Sequence, residues 1–180
     1  VLESPQTIST PFNPVSPYAI SKLFAHYMTV NYRNAYNIFA VSGICFNHES
    51  PLRGEEFITR KITSGLAKIK AGKLKCLEVG NLEAKRDWGY AKDYVKAMWL
   101  GLQSKTPRDY VIATGKTFSV RDFINEAVRH FGFDTYWIGK KENEKLKLKG
   151  SGKTIIKINK KFYRPNEVNH LLGNPALLKK

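Results

Sequence analysis

Acidic residues are scarce in this sequence: 15 Asp and Glu stand against 30 Lys and Arg, a formal net charge of +15. That balance fits a nucleic acid, an acidic membrane surface or a phosphorylated small ligand as partner, or simply a solvated basic surface. Cysteine is nearly missing. Cys45 and Cys76 lie far apart and form no CxxC, which excludes a disulfide scaffold and reads as two reduced thiols of a cytoplasmic protein. The four histidines, His26, His48, His130 and His170, have no metal-ligand spacing, so no metal site is expected. No apolar run approaches the length that crosses a bilayer, and no leader-like h-region opens the chain. A Gly-rich dinucleotide loop, GxGxxG or GxxGxxG, is also missing. The chain begins at Val1 without an initiator Met and closes on Leu177-Leu178-Lys179-Lys180, and it is expected to be part of something longer.

What is present is ordinary for a globular protein, with 42% hydrophobic and 25% charged residues over a length that suits one domain or parts of two. Residues 1–15, with Pro5, Pro11 and Pro14, form a loop that leads to Ser16-Pro17-Tyr18-Ala19-Ile20-Ser21-Lys22. Ser16 suits an N-cap and Pro17 the first helical position, and apolar residues at 20, 23, 24, 27 and 28 continue a helical stripe to about Tyr32. Tyr18 and Lys22 are four apart and share one helix face. An ammonium beside a phenol near a helix N-terminus stabilises the phenolate, which makes Tyr18 a candidate proton acceptor.

The run from Asn37 to Phe46 is almost unbroken in apolar residues and suits a strand buried on both faces of a parallel sheet. Asn47-His48-Glu49-Ser50-Pro51 follows it, at the carboxyl end where α/β proteins place ligands. A second helix is expected from Glu55 to Ala71, closed by Gly72, then a short strand from Cys76 to Val79. Lys85-Arg86-Asp87-Trp88-Gly89-Tyr90 is unlike a core segment. Ala91 to Leu102 is expected to be helical, Tyr110 to Ala113 a strand, and Ser119 with Asp122 a capping box at the start of a helix to about Phe131, with Asp short for that role. Beyond Tyr136 the pattern becomes β-like and rich in lysine. Gly150-Ser151-Gly152-Lys153-Thr154 imitates the tail of a phosphate-binding loop, but position 147 is Lys and the β-branched run after it prefers strand, so a hairpin turn is expected.

Several of these stretches, in this order, resemble the GDP-mannose 4,6-dehydratase family of the extended short-chain dehydrogenase/reductase superfamily. They are Ser16-Pro17-Tyr18-Ala19 with Lys22, Asn31-Tyr32-Arg33, Phe46 to Pro51, Gly80-Asn81-Leu82, Lys85 to Gly89, Ala91 to Tyr94, Val111 to Gly115 and Tyr163-Arg164-Pro165. Tyr-x-x-x-Lys marks only the superfamily, whereas Asn-His-Glu-Ser-Pro and Lys-Arg-Asp-Trp-Gly point to this family.

The resemblance implies an α/β chain: the C-terminal part of an NADP-binding Rossmann fold plus a smaller α/β substrate-binding domain. Residues 1–54 and 87–118 would belong to the first, and 55–86 and 119–180 to a discontinuous second domain cut short at its end. The Gly-rich loop and the family's Thr and Glu for the elimination would lie upstream of Val1, so the chain alone is expected to be inactive. In the implied reaction Tyr18 takes the C4 hydroxyl proton of GDP-mannose as hydride leaves C4 for NADP. Water is then lost across C5 and C6, and hydride returns to C6. Tyr18, Lys22, His48 and Arg53 would contact NADP, and Asn47, Lys61, Arg86, Arg164 and Glu167 the GDP-sugar. Arg suits a diphosphate, and Glu can accept from a guanine edge or a ribose hydroxyl. A homodimer or homotetramer is implied. Leu52, Ser42 and Tyr90 stand where the family shows Arg, Asn and His, and the first of these bears on subunit assembly and NADP binding. Another nucleotide-sugar dehydratase or epimerase of the superfamily, or a basic nucleic-acid-binding module, are the competing readings.

Overall fold

The structure, a computed structural model, describes residues 2–163 and 166–178. In chain order the elements are α1 (Pro17–Tyr36), β1 (Gly43–Cys45), β2 (Asn47–Glu49), α2 (Ile58–Lys70), β3 (Leu77–Val79), β4 (Lys85–Arg86), β5 (Trp88–Tyr90), α3 (Ala91–Leu102), β6 (Tyr110–Ile112), β7 (Phe118–Ser119), α4 (Val120–His130), β8 (Thr135–Ile138), β9 (Lys145–Leu148) and β10 (Thr154–Ile158). They fall into two compact units. One comprises Val1–Ser50, Arg86–Thr117 and His170–Lys180, the other Pro51–Lys85 and Phe118–Asn169. The last segment therefore groups with the first unit, whereas the sequence reading placed it with the second.

In the first unit, the Ser16 hydroxyl accepts from the Ala19 N–H at 3.1 Å and Pro17 opens α1, as the cap chemistry requires. The helix ends at Asn37, which adopts the left-handed conformation that a short polar side chain tolerates. This end of α1 is tied down by charge. Arg33 donates through both terminal nitrogens to the Asp109 carboxylate, at 2.8 and 3.3 Å, and once to the Ala40 carbonyl at 3.1 Å. Asp109 also accepts from the Ser42 N–H, so one half-buried pair joins the end of α1, the entry to β1 and the entry to β6.

β1 pairs in parallel with β6, and β2 with β5. The strand expected over 37–46 is shorter, only Gly43–Cys45, and Ile38 and Phe39 are exposed. A strand extends only as far as a neighbour pairs with its edge, and among the described residues β1 pairs with β6 alone, over three residues. The polar Asn47–Glu49, expected just past the carboxyl end of that strand, forms a second strand, because its backbone groups find the β5 ladder.

The second unit has a four-stranded sheet in the order β3–β10–β9–β8, with β3 parallel to β10 and the other pairs antiparallel. α2, which buries Ile62, Leu66 and Ile69, packs against β3 of this sheet and against α4, which buries Ile124 and Val128; Val79, Leu82, Leu146, Ile155 and Ile156 are buried as well. α2 begins later than expected, at Ile58. Glu55 lies outside the helix and its carboxylate receives the Ser64 hydroxyl and the Lys68 ammonium, each at 2.7 Å. The capping box at α4 is complete despite the short Asp: Asp122 receives both the N–H and the hydroxyl of Ser119, and returns its own N–H to that oxygen. Gly150 and Gly152, at φ of 78° and 63°, make the turn between β9 and β10, as the hairpin reading expects.

Candidate active site

The first two turns of α1 present Tyr18 and Lys22 on one face, with the Lys22 ammonium over the Tyr18 ring at 5.6 Å from its centroid. Tyr18 is 71% exposed, so its oxygen is open to an incoming molecule. Burial raises the Cys45 thiol pKa, and the Lys22 charge works in the opposite direction.

One residue beyond β1, the chain passes through Phe46 into β2, which carries Asn47 and His48, both half-buried. The His48 ring approaches the Phe46 carbonyl through Nδ1 at 3.0 Å. A carbonyl only accepts, so Nδ1 bears the proton and Nε2 is the acceptor nitrogen. Arg86 is half-buried and is followed by a group that sequence reasoning did not single out. Asp87 is fully buried, and its carboxylate receives the Thr114 N–H (2.8 Å) and hydroxyl (2.6 Å) together with the N–H groups of Gly115 (3.0 Å) and Gly173 (3.2 Å). The segment that looked unlike core holds the most buried side chain among the described residues of the first unit. Its donors come from residues 27 and 86 positions away, so nothing in the local sequence announces it.

In the second unit, the Lys61 ammonium lies 3.4 Å from the centroid of the Phe162 ring, and Lys161 lies 4.8 Å from the same centroid. Burial lowers the Lys61 pKa, the Lys161 charge adds to that, and Glu78 opposes it. Glu78 gathers Lys157 (3.1 Å), Lys161 (3.2 Å) and the Asn159 amide (2.8 Å), and these partners, Lys157 foremost, lower its pKa to about 2. The Arg53 guanidinium stacks on Phe57 at 3.5 Å, and Glu167 is half-buried. Arg164 lies outside the described residues. Ion pairs with Asp134, Glu78 and Glu142 occupy Lys149, Lys157, Lys160 and Lys161, so part of the basic excess is matched within the fold.

Among the described residues no group of His, Cys, Asp and Glu could hold a metal ion, and no helix is long and apolar enough to cross a membrane. Cys45 and Cys76 are free thiols.

A family model described as GDP-mannose 4,6 dehydratase matches residues 1–180. The chain is 54% identical to the human protein named GDP-mannose 4,6 dehydratase over 174 residues, covering 97% of this chain and 47% of that one. It is 50% identical to the GDP-mannose 4,6-dehydratase of Vibrio cholerae over 190 residues, covering all of this chain and 51% of that one. The chain thus spans about half the length of the curated relatives it matches. Among solved structures it resembles a dTDP-glucose 4,6-dehydratase from Bacillus anthracis in complex with NAD (TM-score 0.76, 18% identity, 98% of this chain and 49% of that one). It also resembles RMD from Pseudomonas aeruginosa complexed with NADPH (TM-score 0.76, 19% identity, 97% and 52%). At those identities the likeness concerns the fold, that of Rossmann-type dehydratases and epimerases.

Proposed function

From a chain that belongs to the GDP-mannose 4,6 dehydratase family, we propose that the whole protein is a hydro-lyase converting GDP-mannose to GDP-4-dehydro-6-deoxymannose with NADP as cofactor. The observation that carries this reading is the Tyr18–Lys22 pair, held on the first turn of a capped helix with its phenol exposed.

The donor set suits a nicotinamide nucleotide. Lys22 brings an ammonium, Tyr18 a hydroxyl, His48 a ring whose Nε2 is left free by the Phe46 carbonyl, and Arg53 a guanidinium for phosphate. When bound, NADP would supply the hydride acceptor for C4 of the sugar and the hydride donor for C6. Tyr18 withdraws the proton of the C4 hydroxyl at its phenolic oxygen, and the Lys22 ammonium favours the charge that develops there. Oxidation at C4 acidifies the C5 hydrogen and opens the loss of water from C6. Asn47, Lys61, Arg86, Arg164 and Glu167 bind the GDP-sugar, with Arg and Lys on the diphosphate and Glu accepting from the guanine edge or a ribose hydroxyl. The protein acts as a homo-oligomer in the cytoplasm, where Cys45 and Cys76 stay reduced. Alone, the 180-residue chain gives no turnover, because the exposed apolar face of α1 leaves the helix that bears Tyr18 poorly supported.

The test is to incubate a full-length protein carrying this chain with NADP+ and GDP-mannose and look for a 4-keto-6-deoxy product. Turnover of UDP- or dTDP-sugars in place of GDP-mannose would assign it to another nucleotide-sugar enzyme of the superfamily. Steep, log-linear loss of RNA or DNA affinity with salt, without any turnover, would support the basic-module reading instead.

A further inference from the structure

His48 does not stand alone on β2. In the parallel pair β2–β5 its register partner is Gly89, which has no side chain to occupy the space beside it. Tyr94, in the second turn of α3, occupies that space. A Cβ built on Gly89 would come within 2.4 Å of Tyr94 Cε2 and 3.1 Å of its hydroxyl oxygen, so the ring lies directly on the strand. From there it reaches the imidazole: the His48 and Tyr94 ring centroids are 5.1 Å apart, with their planes inclined by 34°. Tyr94 is 3% exposed and packs with Ala97, Tyr110 and Ile112, which leaves its ring little freedom. Among the described residues its hydroxyl is buried without a hydrogen-bond partner. The contact to His48 is therefore made by the ring and not through the oxygen.

We propose that Tyr94 is a positioning residue: its ring, seated over Gly89, fixes the plane of the His48 imidazole against which the nicotinamide nucleotide binds. The inference rests on the reading of His48 as a cofactor contact. Two constraints together define the imidazole. The Phe46 carbonyl fixes which nitrogen carries the proton, and the Tyr94 face fixes the tilt about that bond. Burial, with the charges of Asp87 and Cys45 adding to it, holds the Tyr94 phenol well above its ordinary pKa. The ring beside His48 accordingly stays neutral.

The test is a double-mutant cycle in the full-length protein, with NADPH binding followed by fluorescence titration. His48→Ala should weaken NADPH binding; if it does not, the cofactor reading of His48 fails first. Given that loss, Tyr94→Leu should weaken NADPH by about tenfold in the native background, the scale of a misoriented contact. In the His48→Ala background it should have almost no further effect. Tyr94→Phe, which keeps the ring and deletes only the unpartnered oxygen, should bind NADPH as the native protein does. Equal Tyr94→Leu losses in both backgrounds, or unchanged affinity where His48→Ala weakens binding, would overturn the inference. So would a Tyr94→Phe variant as weak as Tyr94→Leu. A purely structural role would lower the melting temperature of Tyr94→Leu without this dependence on His48.

Discussion

The two units are held together by different forces. In the second, the largest fully buried side chains are aliphatic: Ile62, Leu66, Val79, Leu82, Ile124, Leu146, Ile155 and Ile156. In the first, among the described residues, the comparable position is taken by a carboxylate, Asp87. Its principal helix, α1, has no buried residue among those described, and Ile20, Phe24, Tyr27 and Tyr32 are exposed. α3 likewise leaves Val95, Trp99 and Leu102 in solvent. The second unit closes a larger aliphatic core; the first joins a smaller cluster of Tyr94, Ala97, Tyr110 and Ile112 to polar anchors, the Arg33–Asp109 pair and the donors converging on Asp87. The proposed proton acceptor sits on the more weakly packed of the two.

This contrast can be broken by mutation. The largest effect belongs to the second unit's core: Leu66→Ala should cost about 2–5 kcal/mol, the range for a buried leucine whose cavity cannot collapse. Its check is the urea midpoint, and a loss below about 1 kcal/mol would show that this core is not closed. Asp87→Asn should come next, at about 2 kcal/mol, since it replaces a charged acceptor with an amide whose NH2 faces backbone donors. Hydrogen exchange should localise that loss to Thr114, Gly115 and Gly173, and not to α2. Smallest of all, Phe24→Ser on the exposed face of α1 should change stability by less than about 0.5 kcal/mol in the 180-residue chain. A large loss there would mean that α1 is more firmly packed than its exposure indicates.

In the second unit, electrostatics adds a contribution that depends on pH. Glu78 is held at a pKa of about 2, below its ordinary 4.5, first by Lys157 and then by Asn159 and Lys161. A carboxylate with a depressed folded value contributes above its ordinary pKa, and that contribution drains away as pH falls from about 4.5 towards about 2. Glu78→Gln should therefore flatten the fall in stability over that window in a series of acid titrations. An unchanged slope would mean the Glu78 partners do not hold in solution.

The cap of α1, the Tyr18–Lys22 face, α2's apolar stripe, α3's limits and the hairpin glycines were all legible because each depends on residues within a few positions of one another. Asn47–Glu49 and Asp87 were not. The first is a strand only because β5 lies beside it, and the second is buried only because the distant Thr114 and Gly173 turn their donors towards it. The same applies to Tyr94: its helix was evident, but its approach to His48 depends on a glycine in another strand. Even the shortened β1 follows this rule, since an apolar run becomes a strand only as far as a partner edge extends.

The most direct test of the account is Tyr18→Phe in the full-length protein, with kcat on GDP-mannose and the equilibrium affinity for GDP-mannose measured separately. Deleting a proton acceptor that makes little ground-state contact should lower kcat by about a hundredfold or more while affinity stays within about twofold. Turnover close to that of the native protein would contradict it.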